Sequence, residues 1–482
     1  MKRKIALLIT CLMLMSLVLT ACDNGGDDDE TKAPETTEDG GETEDGGETE
    51  DAGETEDPVV EVEDEEGVSS LNLWAFTDEV PNMVKKYIEL NPDFPYEMKE
   101  TIVATTDGAY QPALDQALAG GGSDAPDIYA AEAAFVLKYT QGDAYSYAAP
   151  YKDLGIDIDT MLEESEIAPY SVEIGTNPDG DVVGLGYQAT GGAFIYRRSI
   201  AEDVWGTDDP AEIQAKIGPG WDKFYDAAAE LKDKGYGIVS GDGDVWHAVE
   251  NSSEQGWVVD GKLTIDPKRE EFLDLSKELK DKDYHNDTED WQDPWFADMK
   301  GEGQKEIFGY FGPAWLINYT IAPNCGGEKP GEGTYGDWAV CEPPVGFFWG
   351  GTWILANKET KIPKSVGEVL EWITLDATED GLQYMWANGM LNDAGTKDAV
   401  ASGAVMKNSN GEVEFLAGQN MFDVFVPAGE FANGKNLTQY DETINNHFRG
   451  QVREYTAGNK DRDEALADFK QLVADNLDVI VE

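Results

Sequence analysis

Aromatic rings and carboxylates recur together in this sequence. Trp74-Ala75-Phe76-Thr77-Asp78-Glu79 puts a ring shortly before two acidic side chains. Asp107 stands in Thr105-Thr106-Asp107-Gly108, and Glu132 follows Ala130-Ala131. Trp246 lies in the polar run Asp242-Gly243-Asp244-Val245-Trp246-His247, and Trp315 follows Gly312-Pro313-Ala314. Trp349-Gly350-Gly351-Thr352-Trp353 joins two rings to a backbone able to approach a ligand closely. A flat ring offers an apolar face, and carboxylates accept hydrogen bonds from paired hydroxyls. Together they suit a sugar, whose ring has an apolar C–H face and a hydroxylated edge. Each residue also has a plainer reading. Glu132 would complement a helix N-terminus, Trp74 suits a core, and most of the 13 tryptophans must serve packing.

The elements that must hold these residues alternate. Leu71–Phe76 reads as a strand, and Val80, Met83, Val84, Tyr87 and Ile88 give a helix over 80–91 its apolar face. Pro81 suits its first turn, with Asp78 or Thr77 as cap. A strand ending near 101–105, a helix stopping at Gly120-Gly121-Gly122, a strand over 127–130 and a helix over 133–140 follow. This βαβαβ order predicts a parallel sheet covered by helices. Ligands of such sheets bind beyond the carboxyl ends of the strands, where Asp78, Glu79, Asp107 and Glu132 fall. Extended segments at 182–187 and 193–196, helices over 221–234 and 268–282, an apolar element at 311–319 and a glycine-broken strand at 346–356 form a second group. The last 130 or so residues read as mostly helical, closing on a helix over 462–478.

The N-terminus carries separate chemistry. Lys2, Arg3 and Lys4 precede an apolar run from Ile5 to Leu19, and Leu19-Thr20-Ala21-Cys22 ends it. That is a signal-peptide layout, too short to span a bilayer. Its last four residues resemble a bacterial lipobox, which implies cleavage before Cys22 and acylation of its sulfur. From Asp23 to Glu66 there are 22 acidic residues and one lysine, with Thr37-Glu38-Asp39-Gly40-Gly41-Glu42 recurring at 43–48 and nearly at 49–54. Residues 22–68 are therefore expected to be a disordered acidic tether, spanning on the order of 40 Å if it behaves as a flexible coil.

The 482 residues carry 97 acidic and 35 basic side chains, a net charge of −62. So acidic a surface repels phosphate backbones, which excludes nucleic acid as a partner. Once Cys11 leaves with the signal and Cys22 is acylated, Cys325 and Cys341 remain. In an oxidising exterior they could close a loop of about 17 residues, stabilising by roughly 3 kcal/mol; the alternative is two separate buried thiols.

The lipobox, the strand with Trp74 and Asp78-Glu79, Pro126-Asp127-Ile128-Tyr129, Tyr187 with Tyr196-Arg197, the Gly-x-x-Trp of Trp315, and Pro343-Pro344-x-Gly346 with Gly350-Gly351 resemble the family 1 extracellular solute-binding proteins of carbohydrate ABC transporters, the maltose-binding-protein-like group. The resemblance covers residues 69–482. It implies an α/β, two-lobed periplasmic-binding-protein-like fold of type II, each lobe a mostly parallel sheet flanked by helices, hinged at crossover segments. It implies lobe one at 69–188, lobe two at 189–348, a return to lobe one at 349–378, and a helical part at 379–482 packing mainly on lobe two. It places sugar contacts on Asp78 or Glu79, Glu132, Trp315 and the Gly350-Gly351 turn. The partners it implies are a saccharide and membrane permease subunits. The protein is then a lipid-anchored monomer on the outer face of the cytoplasmic membrane, on a Gram-positive type of cell surface.

The competing reading is a surface lipoprotein that binds or cleaves glycans without a transporter. Cleavage needs two suitably spaced carboxyl groups, which sequence does not exclude. No nucleophile elbow, zinc helix or P-loop is present. His247, His285 and His447 are scattered, and Asp281-x-Asp283-x-His285-x-Asp287 lacks the glycine and glutamate of a calcium loop. No catalytic residue, metal or cofactor is expected.

Overall fold

The computed structural model describes residues 60–105, 108–392, 394–431 and 434–482. Cys22, the signal segment, most of the acidic tether and Asp107 lie outside these residues. Among the described residues ten strands are formed: β1 Ser70–Ala75, β2 Glu97–Ile102, β3 Ile128–Glu132, β4 Gly184–Gly186, β5 Ala193–Arg197, β6 Val258–Val259, β7 Lys262–Leu263, β8 Gly309–Gly312, β9 Trp338–Cys341 and β10 Thr352–Ala356. The first sheet runs β2-β1-β3-β10-β4, the second β8-β5-β9, and β6 pairs with β7.

The opening βαβαβ unit forms as its pattern predicts. In β1 the alternation buries Leu71, Leu73 and Ala75 on one face. The helix Glu79–Leu90 lays Val80, Met83, Val84 and Tyr87 into the core. Asp78 stands at its N-cap but its side chain makes no capping bond, so its carboxylate remains available. β1 pairs in parallel with β2 and β3. Parallel pairing brings their carboxyl ends to one edge. β10 then enters antiparallel between β3 and β4, so the first sheet is mixed.

The second sheet departs further from the expected parallel arrangement, because both pairs of its named strands are antiparallel. Parallel bridges from Gly237 to Ile307 and from Val239 to His285 add the only parallel pairing found there among the described residues. Each strand is short and buried on both faces. Phe194, Tyr196 and Cys341 join one hydrophobic cluster, while Ile195, Trp338 and Val340 join another.

Two segments, residues 187–193 and 347–352, run side by side between the sheets. The Gly192 N–H donates to the Phe347 carbonyl at 2.8 Å and the Trp349 N–H to the Thr190 carbonyl at 3.0 Å. The expectation for 379–482 needs correction. Leu382, Trp386, Val405, Phe415 and Phe425 share a cluster with the core of the first sheet. The helices Asp441–Thr456 and Arg462–Asn476 instead bury Ile444, Phe448, Phe469 and Val473 with the second sheet.

Two further expectations are corrected. Cys325 and Cys341 are free and buried. They belong to clusters on opposite faces of the second sheet, so the sheet itself separates them. The last residues given to the tether are tied down: Asp64 accepts from the Tyr96 hydroxyl at 2.8 Å and from the Ser365 hydroxyl at 2.6 Å.

Candidate functional site

Beyond the carboxyl ends of β1 and β3 lies a cavity of about 920 Å³. Its floor comes from the first sheet: Phe76 to Glu79 after β1, Thr105 after β2, and Glu132 at the end of β3. Register completes it. Thr352 pairs opposite Glu132, and the Ala133 N–H donates to the Gly351 carbonyl at 2.9 Å. The Gly350-Gly351 turn is thereby held against Glu132. Both glycines take positive φ, +67° and +112°. A Cβ at Gly351 would stand 3.1 Å from Thr190 Cγ2 and 3.2 Å from the Trp353 ring, so the turn requires glycine there.

The opposite wall is aromatic. Trp291, Trp315 and Trp349 line the cavity with Tyr319. Trp315 and Trp349 have ring centroids 4.7 Å apart at 60°, and the Trp315 indole N–H donates to the Trp349 carbonyl at 3.1 Å. Trp291 lies nearly parallel to Trp315 at 6.3 Å and is 49 % exposed. On its far side Trp349 stacks on the His247 imidazole, centroids 3.4 Å apart and 15° from parallel.

The carboxylates are electrostatically unusual. Burial raises Glu132 to about 7, although the Ala134 N–H, 2.9 Å from its Oε2, opposes the shift. Burial likewise raises Glu79 to about 7, opposed by a hydrogen bond from Tyr187 and reinforced by Asp78. Glu79 Oε1 has no hydrogen-bond partner among the described residues. Asp398 is raised to about 8 by burial, with Glu79 adding to the rise. Asp290 goes the other way: burial would raise it, but His247 and Arg449 hold it below the carboxylate range.

Seven of the residues chosen from the sequence thus meet at one cavity: Asp78, Glu79, Glu132, Trp315, Trp349, Gly350 and Gly351. Three do not. Trp246, in the helix Asp242–Glu250, is 1 % exposed and packs edge-on against Phe272. Its neighbours Val245 and Val249 are buried with it, so this polar run is a core helix and not a site loop. Trp353 is also 1 % exposed and donates its indole N–H to the Ser171 carbonyl at 3.0 Å; the pleat turns it away from the cavity. Trp74 packs half-buried against the cluster of Tyr110, Tyr129 and Phe135.

The profile of the bacterial extracellular solute-binding protein family matches residues 76–380. The chain belongs to that family. Among solved structures, a family 1 extracellular solute-binding protein matches with a TM-score of 0.67 at 18 % identity, over 84 % of this chain and 99 % of the other. The galacto-N-biose/lacto-N-biose I-binding protein of the ABC transporter from Bifidobacterium longum, solved with lacto-N-biose, gives 0.64 at 16 % identity over 87 % and 100 %. The GacH receptor of Streptomyces glaucescens, solved with acarbose, gives 0.58 at 16 % identity over 85 % and 100 %. No curated protein matches by sequence.

The cavity lies between sheet-end carboxylates and an aromatic wall. No helix among the described residues is long and apolar enough to cross a membrane. Sequence reasoning missed Trp291, Tyr319 and Glu442, all of which line the cavity. Trp291 had a signal: it is a lone ring in Glu289-Asp290-Trp291-Gln292-Asp293, where no apolar face could bury it. Glu442 had none, because its helix reaches the cavity only through the fold.

Proposed function

We propose that the protein captures a neutral oligosaccharide outside the cell and delivers it to the membrane subunits of an ABC importer. The observation that carries this reading is the facing of three tryptophans against Asp78, Glu79, Glu132 and Glu442 across one cavity. Rings stack on the C–H faces of sugar residues, and carboxylates take their hydroxyls. At about 920 Å³ the cavity lies near the top of the roughly 300–1,000 Å³ usual for ligand sites, which suits several sugar units rather than one. Anionic sugars are disfavoured: the one cation among the lining residues, Lys86, lies 3.2 Å from Glu89. The carbohydrate partners of the Bifidobacterium and Streptomyces proteins point the same way.

In this reading the protein is a binder and not an enzyme, works as a monomer, and is tethered by acylated Cys22 to the outer face of the cytoplasmic membrane. A thermal-shift screen over neutral, anionic and cationic oligosaccharides tests it. A sugar at 100 times its Kd adds about 2.7 kcal/mol of stability. No shift from any neutral sugar overturns the reading, and hydrolysis products on chromatography after incubation overturn the binder assignment. Cys22→Ala should release the protein from membranes without changing its sugar affinity.

A further inference from the structure

The aromatic wall is not held by apolar packing alone. The helix Asp441–Thr456 carries Arg449 and Arg453 one turn apart, and these grip two consecutive acids of one loop. Arg449 Nη2 lies 2.8 Å from Asp290 Oδ1, and Arg453 Nη1 lies 2.7 Å from Glu289 Oε1. The next residue is Trp291, whose φ is +65°. A bulky side chain rarely adopts that conformation, and it persists only where the surroundings impose it. The other Asp290 oxygen, Oδ2, lies 3.4 Å from His247 Nε2, and the opposite use of that imidazole is its stack on Trp349. Among the described residues neither His247 nitrogen has a hydrogen-bond partner, so Asp290 acts on the ring through its charge at close range.

Space has been cleared for this arrangement. A Cβ on Gly243 would stand 2.5 Å from Asp290 Oδ1 and 2.8 Å from Arg449 Nη2. Glycine there lets the helix Asp242–Glu250 come close enough for His247 to reach both Asp290 and Trp349. Asp290 and Arg449 are themselves largely buried, so their charges are poorly screened and breaking one leaves the other uncompensated.

We propose that Arg449, Asp290 and His247 are positioning residues that set two faces of the binding wall, Trp349 through the imidazole stack and Trp291 through its backbone. The helix Asp441–Thr456 then acts as a splint, and because it also carries Glu442 it couples the aromatic wall to one of the carboxylates. Only the consequence for affinity rests on the sugar-binding reading; the positioning itself does not.

The first experiment needs no ligand. An imidazolium in contact with an indole quenches its fluorescence, so the full-length protein should show an emission step as His247 titrates. Burial places that step below the ordinary histidine value, with Asp290 opposing and Arg449 reinforcing the fall. The step should vanish in His247→Phe and in Trp349→Phe. In Asp290→Asn it should move to lower pH, and acrylamide should quench the tryptophan emission more strongly as Trp291 is released. A step that persists in His247→Phe, or an Asp290→Asn variant with unchanged quenching, overturns the proposal.

The second experiment is a cycle read by calorimetry with the neutral oligosaccharides of the screen. His247→Ala should weaken affinity about tenfold in the native background and under about twofold in Trp349→Ala, because a residue acting through another loses its effect when that partner is removed. Equal losses in both backgrounds overturn the proposal. If no neutral oligosaccharide binds the native protein, the sugar reading fails, and the fluorescence result still decides the positioning.

Discussion

Two tryptophans of this chain, Trp291 and Trp353, differ entirely in role. Trp291 is half exposed in the cavity wall, and Trp353 is sealed beneath it. Trp291→Ala should therefore weaken sugar binding by roughly 0.5–1.5 kcal/mol, about threefold to tenfold, with little change in melting temperature. Trp353→Ala should cost about 3–5 kcal/mol of stability, as for any large buried ring. Calorimetry and thermal melts of both variants check the contrast, and a reversal would mean the wall has been misplaced. Protonation follows from burial in the same way. Glu79, Glu132, Asp244 and Glu250 are each raised to about 7 and Asp398 to about 8. Each holds its proton more tightly folded than unfolded. That stability is fully present below the ordinary carboxylate value and is lost as pH rises toward about 7–8. Asp290, held low, contributes stability above the ordinary value that is lost as pH falls. Asp441, raised to about 6, joins these acids, while Asp290 and Asp283 are lowered and act below this range. The lowered His247 and His285 oppose the acids only up to the ordinary histidine value. The raised acids outnumber them, so the melting temperature should fall between pH 5.5 and pH 8, and Glu79→Gln should flatten that slope. A melting temperature that rises over this range would show the acids to be solvated.

The paired segments 187–193 and 347–352 carry the chain between the two sheets and place Gln188, Thr190 and the Gly350-Gly351 turn. Gly191 is bridged to Phe348, and the ring of Phe347 fills the space a side chain on Gly192 would need. Gly192→Ala should force the segments apart, costing about 1–3 kcal/mol as an overpacked site. Because the cavity depends on this pairing, sugar affinity should drop too, and a variant with native melting and affinity would refute the account. The closing helices act on another part of the same site. The capping box of Asp461 and Glu464 fixes the start of the last helix. That helix packs on Asp441–Thr456, whose arginines hold the loop of Trp291.

Across the whole molecule, two sheets linked by narrow paired segments have the architecture of a hinged clamp. Binding should lower the radius of gyration measured by X-ray scattering, with the apo and loaded forms differing beyond error. No change on saturation would mean that the cavity fills without closure.

Local periodicity was enough for the opening part of the first sheet, β1 to β3, and not for the antiparallel entry of β10. The 2-residue alternation of β1 and the 3.6-residue stripe of the following helix depend on near neighbours, as does the convergence of Asp78, Glu79 and Glu132 at one edge. The glycine pair before β10 was legible too, because only glycine tolerates its backbone. The antiparallel second sheet was not legible. Its strands are four or five residues long and buried on both faces, so they carry no alternation that could reveal direction. Tertiary structure also decided which tryptophans serve the cavity and which serve the core. Trp246 and Trp315 have similar polar or glycine-rich neighbours, and only long-range packing seals one in the core and leaves the other half-buried at the cavity. The contact of Arg449 with Asp290 spans 159 residues. No local pattern encodes such a pairing, because it depends on where a C-terminal helix docks.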